Sequence, residues 1–172
     1  QASRDIELNK ILNDTGSILI HPYNDERIIT GQATAAKELL EDCPDLEVVI
    51  SPVSGGGLLA GSLSYLKEIN PEIIVYGAEP KEADDTYRSL SMGRIQGNKT
   101  TNTICDGLRA QVGTITFPII KKYVNGIIIL SEKEIIDAMR MVWERLKIII
   151  EPSCSITLAA ILKRKDLFQD KR

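Results

Sequence analysis

SPVSGGGLLAG, residues 51–61, sets three consecutive glycines between two apolar runs. Ahead of it, LEVVI (46–50) is rich in β-branched residues and reads as a buried strand. Behind it, Leu58, Leu59, Leu63 and Leu66 recur at helical spacing until Asn70-Pro71 stops the pattern. A glycine inside either element costs about 0.5–1 kcal/mol relative to alanine, so three together have a purpose. In an α/β sheet, ligands bind beyond the carboxyl ends of the strands, where loops lead into helices. A loop without side chains lets backbone N–H groups approach an anion there, and the following helix N-terminus adds its dipole. Ser54, Gly55, Gly56, Gly57 and Leu58 are therefore expected to form a phosphate cradle. A tight strand-to-helix turn with close packing is the competing reading.

The flanking sequence repeats the same alternation. Residues 3–13 carry Ile6, Leu8, Ile11 and Leu12 among charges and predict a short amphipathic helix closed by Gly16. SILI (17–20) reads as a strand ending at His21-Pro22, and residues 25–41 as a helix with Ile28, Ala35, Ala36, Leu39 and Leu40 on one face. Strand 46–51, helix 58–69 and strand 73–78 come next, then a helix through Tyr87 and Leu90. Residues 91–103 (SMGRIQGNKTTNT) are polar and glycine-bearing and read as the least ordered stretch. Phe117-Pro118 opens a short helix to Tyr123, and GIIIL (126–130) is a further buried strand. SEKE (131–134) has capping-box spacing before Ile135, Met139, Val142, Trp143 and Leu146. A last helix follows EPS through Leu158, Ala159 and Leu162. Strands written as continuous apolar runs, alternating with helices, predict an α/β fold: a mostly parallel sheet covered by helices on both faces.

Composition narrows the function. The 172 residues are 43% hydrophobic and 26% charged, with a net charge of −3, which argues against broad nucleic-acid or anionic-membrane binding. No 18-residue apolar stretch is present, and the N-terminus has no signal-peptide core. Cys43, Cys105 and Cys154 are scattered without a C-x-x-C pair, which suits reduced thiols in the cytoplasm. Cys43 beside Pro44 reads as a helix end, not a nucleophile. The start, QASRD, lacks an initiator methionine and suggests a chain taken from something longer.

The owner of the phosphate stays open at this level. Gly55, Gly57 and Ala60 fit G-x-G-x-x-G/A, and Glu79 ends the next strand, where a ribose-binding acid of a dinucleotide site belongs. The segment AEPKEADD (78–85) offers a different chemistry. Two carboxylates with a main-chain carbonyl between them suit Mg²⁺, Ca²⁺ or Mn²⁺, which take oxygen ligands and retain waters. Asp84 and Asp85 also suit the first turn of a helix, where acids favour the dipole.

Several separated stretches together resemble the pyridoxal-phosphate (PLP) enzymes of the serine racemase and serine/threonine dehydratase family, with the tryptophan-synthase-β type of fold (fold type II). They are HPYND (21–25), GQATAAKELL (31–40), SPVSGGGLLAG (51–61), AEPKEADD (78–85), CDGL (105–108), VWERLKIIIEPS (142–153) and ITLAA (156–160). The resemblance implies that Ser54 to Leu58 hold the PLP phosphate, that Gly107 packs beside the cofactor ring and that Glu151 lies near its pyridine edge. It places His21 on the amino-acid substrate side, although beside Pro22 this sole histidine also reads as a structural hydrogen-bonder. It carries a divalent-cation site over as Glu79, the Ala83 carbonyl and Asp85. It further implies a cytoplasmic homodimer at full length, with no nucleic-acid or membrane partner.

The resemblance also has departures. The family binds its cofactor covalently through a lysine in an S-x-K-x-R-G-type stretch, and no lysine here sits in one. Its serine-glycine-glycine-asparagine strand and its catalytic serine are likewise missing, so no catalytic residue is assigned. Ala33 stands where GQGT usually has a second glycine, and Cys154 where glycine commonly follows EPS. On this basis residues 1–20 are expected to be the tail of the small domain and 21–172 most of the large PLP-binding domain, an incomplete large domain that does not turn over substrate alone. A dinucleotide-binding oxidoreductase domain and a non-catalytic fragment of the fold are the alternatives.

Overall fold

A computed structural model describes the chain from residue 2 to residue 172. The glycine stretch does join a strand to a helix. β1 (Val48–Pro52) runs into α3 (Gly57–Ile69), preceded by α1 (Ala2–Thr15) and α2 (Glu26–Asp42). β2 (Ile74–Pro80), α4 (Asp85–Met92), α5 (Thr116–Tyr123), β3 (Gly126–Leu130), α6 (Glu132–Leu146), α7 (Pro152–Lys163) and α8 (Lys165–Phe168) follow. The described strands form one parallel sheet in the order β1-β2-β3, with Val49 opposite Val75 and Ala78 opposite Ile128.

Alternate side chains on each strand feed two separate cores, as the pleat requires. Val49, Val75 and Ile127 pack with Leu59, Leu63 and Leu66 of α3 and Ile120 of α5. Ile50, Tyr76 and Ile128 pack with Ile135 of α6 and Ile156 and Ala159 of α7 on the other face. Helices thus cover both faces. α2 lies against α3 so closely that a Cβ at Gly61 would sit 2.4 Å from the Ile29 carbonyl oxygen. Ile29, not Ile28, is the buried isoleucine of α2, and Leu39 is left 41% exposed.

The local signals act where expected. Gly16 (φ 66°) closes α1, its N–H donating to the Leu12 carbonyl at 2.9 Å. Ser131 and Glu134 form the reciprocal capping box of α6. SILI, however, is not a strand. Residues 17–20 pair with no neighbour among the described residues, and Ile18 is 84% exposed. Apolar composition alone does not make a strand, because its backbone groups need a partner ladder. The same holds for the isoleucines ahead of EPS, where Ile149 is 91% exposed.

The polar stretch after α4 is irregular yet pinned. Arg88 donates to the Gly97 carbonyl at 2.9 Å, and the Ser89 hydroxyl accepts the Gln96 N–H at 2.8 Å. Among the described residues the three cysteines are free thiols, and no helix is long and apolar enough to cross a membrane.

Candidate functional site

The cradle is built at the carboxyl end of β1. Gly56 is the N-cap of α3 with φ 89°, a left-handed conformation that favours glycine. A Cβ there would also lie 2.8 Å from Ile120 Cδ1 and 2.9 Å from Thr116 Oγ1. Gly55 is required for a second reason, since its Cβ would fall 2.3 Å from the Tyr23 ring. Close packing is thus one part of the glycine run's purpose. Open surface is the other: Ser54 and all three glycines border a cavity of about 710 Å³, also lined by Gly107 and Arg109.

The loop's carbonyls are used and its amides are not. Gly55 O accepts the Thr116 hydroxyl at 2.7 Å and the Gly113 N–H at 3.1 Å, and Gly56 O accepts the Ala60 N–H at 2.8 Å. Ser54 Oγ accepts the Ala110 N–H at 3.0 Å, which leaves its own proton to donate. The N–H groups of Gly55 and Gly56 meet no acceptor among the described residues. Those of Gly57 and Leu58 belong to a first helical turn that has no side-chain cap. Four donors and the positive end of α3 converge on one cavity, and the complement of that arrangement is an anion.

The HPYND loop forms the opposite wall. His21 Nδ1 accepts the Asn24 N–H at 2.9 Å and the Tyr23 N–H at 3.3 Å, so its proton is on Nε2. Its ring meets Tyr23 edge-on at 4.6 Å. His21 itself does not line the cavity, whereas Pro22 and Tyr23 do. Asn24 ties this loop to the far side, accepting the Ile115 N–H at 2.7 Å and donating to Thr114 Oγ1 at 3.0 Å. Gly107 borders the cavity, its N–H donating to Ser153 Oγ at 3.3 Å. Glu151 is the exposed N-cap residue of α7, and its Oε1 lies 4.0 Å from where a Gly107 Cβ would be.

Glu79, at the carboxyl end of β2, is fully buried away from this cavity. Its two oxygens accept the Thr86 and Tyr87 N–H groups of α4 at 3.1 and 2.9 Å. A ribose-binding acid must face its ligand, so this burial removes the dinucleotide reading. Loss of water pushes Glu79 up to about 8, with the neighbouring Asp85 charge adding to the rise. Burial likewise pushes Asp85 up to about 6, against the Val112 N–H that its Oδ2 accepts at 2.7 Å. Ala83 is buried in a single 3₁₀ turn between them. Among the described residues no group of three or more His, Cys, Asp or Glu side chains comes together, so a cation here would rest on two carboxylates and main-chain or neutral oxygens. Cys105 is buried, which pushes its thiol up to about 11 and leaves it no thiolate at neutral pH.

Tyr23, Asn24 and Thr116 hold the site together, and no local sequence signal marks them. Their partners lie 61 or more residues away in the chain (Thr116 to Gly55, Asn24 to Ile115) or touch only through the folded loop. The fold around the glycine turn agrees with the comparisons to known proteins. The serine racemase of Dictyostelium discoideum is 49% identical over 99% of this chain and 52% of its own length. The structure of maize serine racemase superposes with a TM-score of 0.93 at 42% identity, covering 97% of this chain and 51% of that one. A threonine deaminase structure from T.th. gives a TM-score of 0.92 at 38% identity, over 95% of this chain and 55% of that one. The chain spans about half the length of the curated relatives it matches. The sequence model of the pyridoxal-phosphate dependent enzymes matches residues 1–172 in full. With its fold-type II architecture and a donor-lined glycine turn at the sheet's carboxyl edge, the chain belongs to the pyridoxal-phosphate dependent enzymes.

Proposed function

We propose that this chain supplies the phosphate-binding part of a PLP-dependent enzyme that dehydrates L-serine or L-threonine to a keto acid and ammonia, racemises serine, or does both. The supporting observation is the set of N–H donors at Gly55–Leu58 that meets no acceptor among the described residues, opening on a cavity large enough for a cofactor and an amino acid. The residues present fit the phosphate: the left-handed Gly56 keeps the turn free of side chains, and a dianion would satisfy N–H donors that meet no acceptor among the described residues. When bound, PLP supplies an electron-withdrawing ring that delocalises the charge left by a departing α-proton.

The chain's own residues bind and position. Ser54, Gly55, Gly56, Gly57 and Leu58 hold the phosphate, and the Ser54 hydroxyl keeps its orientation through Ala110. Gly107 leaves room beside the ring, and Glu151 stands near the pyridine edge. His21 acts on the substrate side by fixing Pro22 and Tyr23, its Nδ1 committed to the loop's own amides. Residues 1–20 belong to the tail of the small domain and 21–172 to most of the large one. The intact protein is a cytoplasmic homodimer acting on a free amino acid. Glu79, the Ala83 carbonyl and Asp85 hold a divalent cation, Mg²⁺, Ca²⁺ or Mn²⁺, whose role is structural or activating. The donor chemistry fits a hard cation, since two buried carboxylates sit beside each other and neither forms an ion pair among the described residues, the nearby Arg88 being paired with Asp84.

Product analysis of the intact protein with L-serine and L-threonine tests the activity. Keto acid or D-serine is expected, together with a visible absorption band that borohydride bleaches. Absence of both the band and the products would refute the proposal. For the cation, chelator should lower activity and magnesium restore it, and Glu79→Gln with Asp85→Asn should erase that dependence while cofactor binding persists.

A further inference from the structure

The surroundings of Glu79 and Asp85 hold polar atoms that the protein leaves unsatisfied. Thr86 is 0% exposed, and its hydroxyl oxygen has no hydrogen-bond partner among the described residues. The Asn98 side chain is in the same position at both its amide oxygen and its nitrogen, each shut off from solvent. Buried polar groups are nearly always paired, so three orphaned atoms in one place call for a missing partner. They are also not scattered. Thr86 lies against the Glu79 carboxylate and Asn98 against Asp85, each close enough to lower that acid's proton affinity without reaching hydrogen-bond geometry.

Asn98 is brought there by construction. It is remote from the conspicuous AEPKEADD stretch, in the polar segment after α4. Arg88 holds the neighbouring Gly97 carbonyl at 2.9 Å while its Nε donates to Asp84 at 2.7 Å. Ser89 accepts the Gln96 N–H at 2.8 Å and donates to the Asp85 carbonyl at 2.6 Å. Residues 96–98 are thereby folded back over the first turn of α4, and the half-buried Asn98 side chain ends beside Asp85 with no hydrogen-bond partner among the described residues.

We propose that Thr86 and Asn98 complete the cation site framed by Glu79, the Ala83 carbonyl and Asp85, by accepting hydrogen bonds from the waters that a bound Mg²⁺ retains. This rests on the cation reading above and adds two positioning residues to it. Mg²⁺ gives up its waters reluctantly and is held by one or two carboxylates plus groups that orient those waters. Residues in that outer role are usually worth 10- to 100-fold in metal affinity.

Calorimetric titration of the chelator-stripped intact protein with MgCl₂ tests the assignment, run on wild type, Glu79→Gln, Asn98→Ala, Asn98→Asp and Thr86→Val. Wild type should bind one equivalent, and Glu79→Gln should bind none. Asn98→Ala and the near-isosteric Thr86→Val should each bind about 10- to 100-fold more weakly. Asn98→Asp, which keeps an acceptor, should bind at least as tightly as wild type. Without metal, Asn98→Ala should melt no lower than wild type, because the amide it removes makes no bond there. A merely structural asparagine would lower that melting temperature and leave affinity unchanged. Wild-type affinity in both Asn98→Ala and Thr86→Val, with Glu79→Gln still abolishing binding, would overturn the assignment and leave the cation site standing. Loss in one variant alone removes the other residue from it. If wild type takes up no magnesium, the cation reading itself fails, and this inference with it.

Discussion

Two sites stand at the carboxyl ends of adjacent strands, and they are built oppositely. The glycine turn after β1 is made of absent side chains, and its proposed role lies in backbone N–H groups left open on a cavity. The pocket after β2 is made of charged side chains, and it is shut away with acceptors in excess. One end of the sheet therefore suits an anion, and the other a proton or a cation. Backbone donors cannot titrate, so the first site is insensitive to pH in itself. Carboxylates can, so the second is where conditions act.

The largest effect separating the two should come from Gly56→Val. It places a β-branched residue at φ 89° and drives its Cβ into Ile120 and Thr116. The intact protein should lose its PLP absorption band entirely while still binding magnesium. Loss of both together would mean that the two sites are not separable.

Next comes pH. The folded protein holds Glu79 and Asp85 protonated past the ordinary values of 4.5 and 3.8, to about 8 and about 6. Their contribution to stability is complete below those ordinary values and is lost as pH rises through the folded ones. The melting temperature of metal-free protein should therefore fall between about pH 5 and 8. Saturating magnesium should flatten that fall, and so should Glu79→Gln with Asp85→Asn. A profile that is flat in metal-free wild type would break the contrast.

Thr116→Val should have a smaller effect. It removes the hydroxyl that donates to Gly55 O and accepts the Gly113 N–H at 2.9 Å, leaving buried groups unpaired at a cost of about 1–3 kcal/mol. Denaturant unfolding would measure that loss, and a weaker PLP affinity should accompany it. Smallest is Ser131→Ala, which breaks the capping box of α6 on the opposite face, at about 1 kcal/mol. PLP and magnesium titrations should be unmoved by it, which sets the baseline for a purely structural change.

Much of this organisation is legible in the sequence, for a stated physical reason. GIIIL, the SEKE cap and the glycine turn are short-range signals, fixed by residues within a few positions of one another. SILI shows the limit, since a run of apolar residues becomes a strand only when another backbone accepts it. Glu79 shows another, because its spacing suits a ribose acid, and only burial against α4 rules that role out. Thr116 and Asn98 are invisible for the same reason. Nothing near them in the chain announces Gly55 or Asp85.

The segment between residues 110 and 116 touches both sites. Ala110 N–H donates to Ser54, Val112 N–H to Asp85, and Gly113 N–H to Gly55. Adjacent amides of one strap thus answer to a carboxylate on one side and to the anion cradle on the other. Any change of charge on Asp85, by proton or by cation, alters the hold on Val112 and so the placement of the next peptide against the cradle. Thermodynamic reciprocity then applies: whatever factor magnesium adds to the grip on phosphate, phosphate returns to the grip on magnesium. Each ligand becomes a retention device for the other. Removing the metal should loosen the cofactor without releasing it, and removing the cofactor should loosen the metal by the same factor.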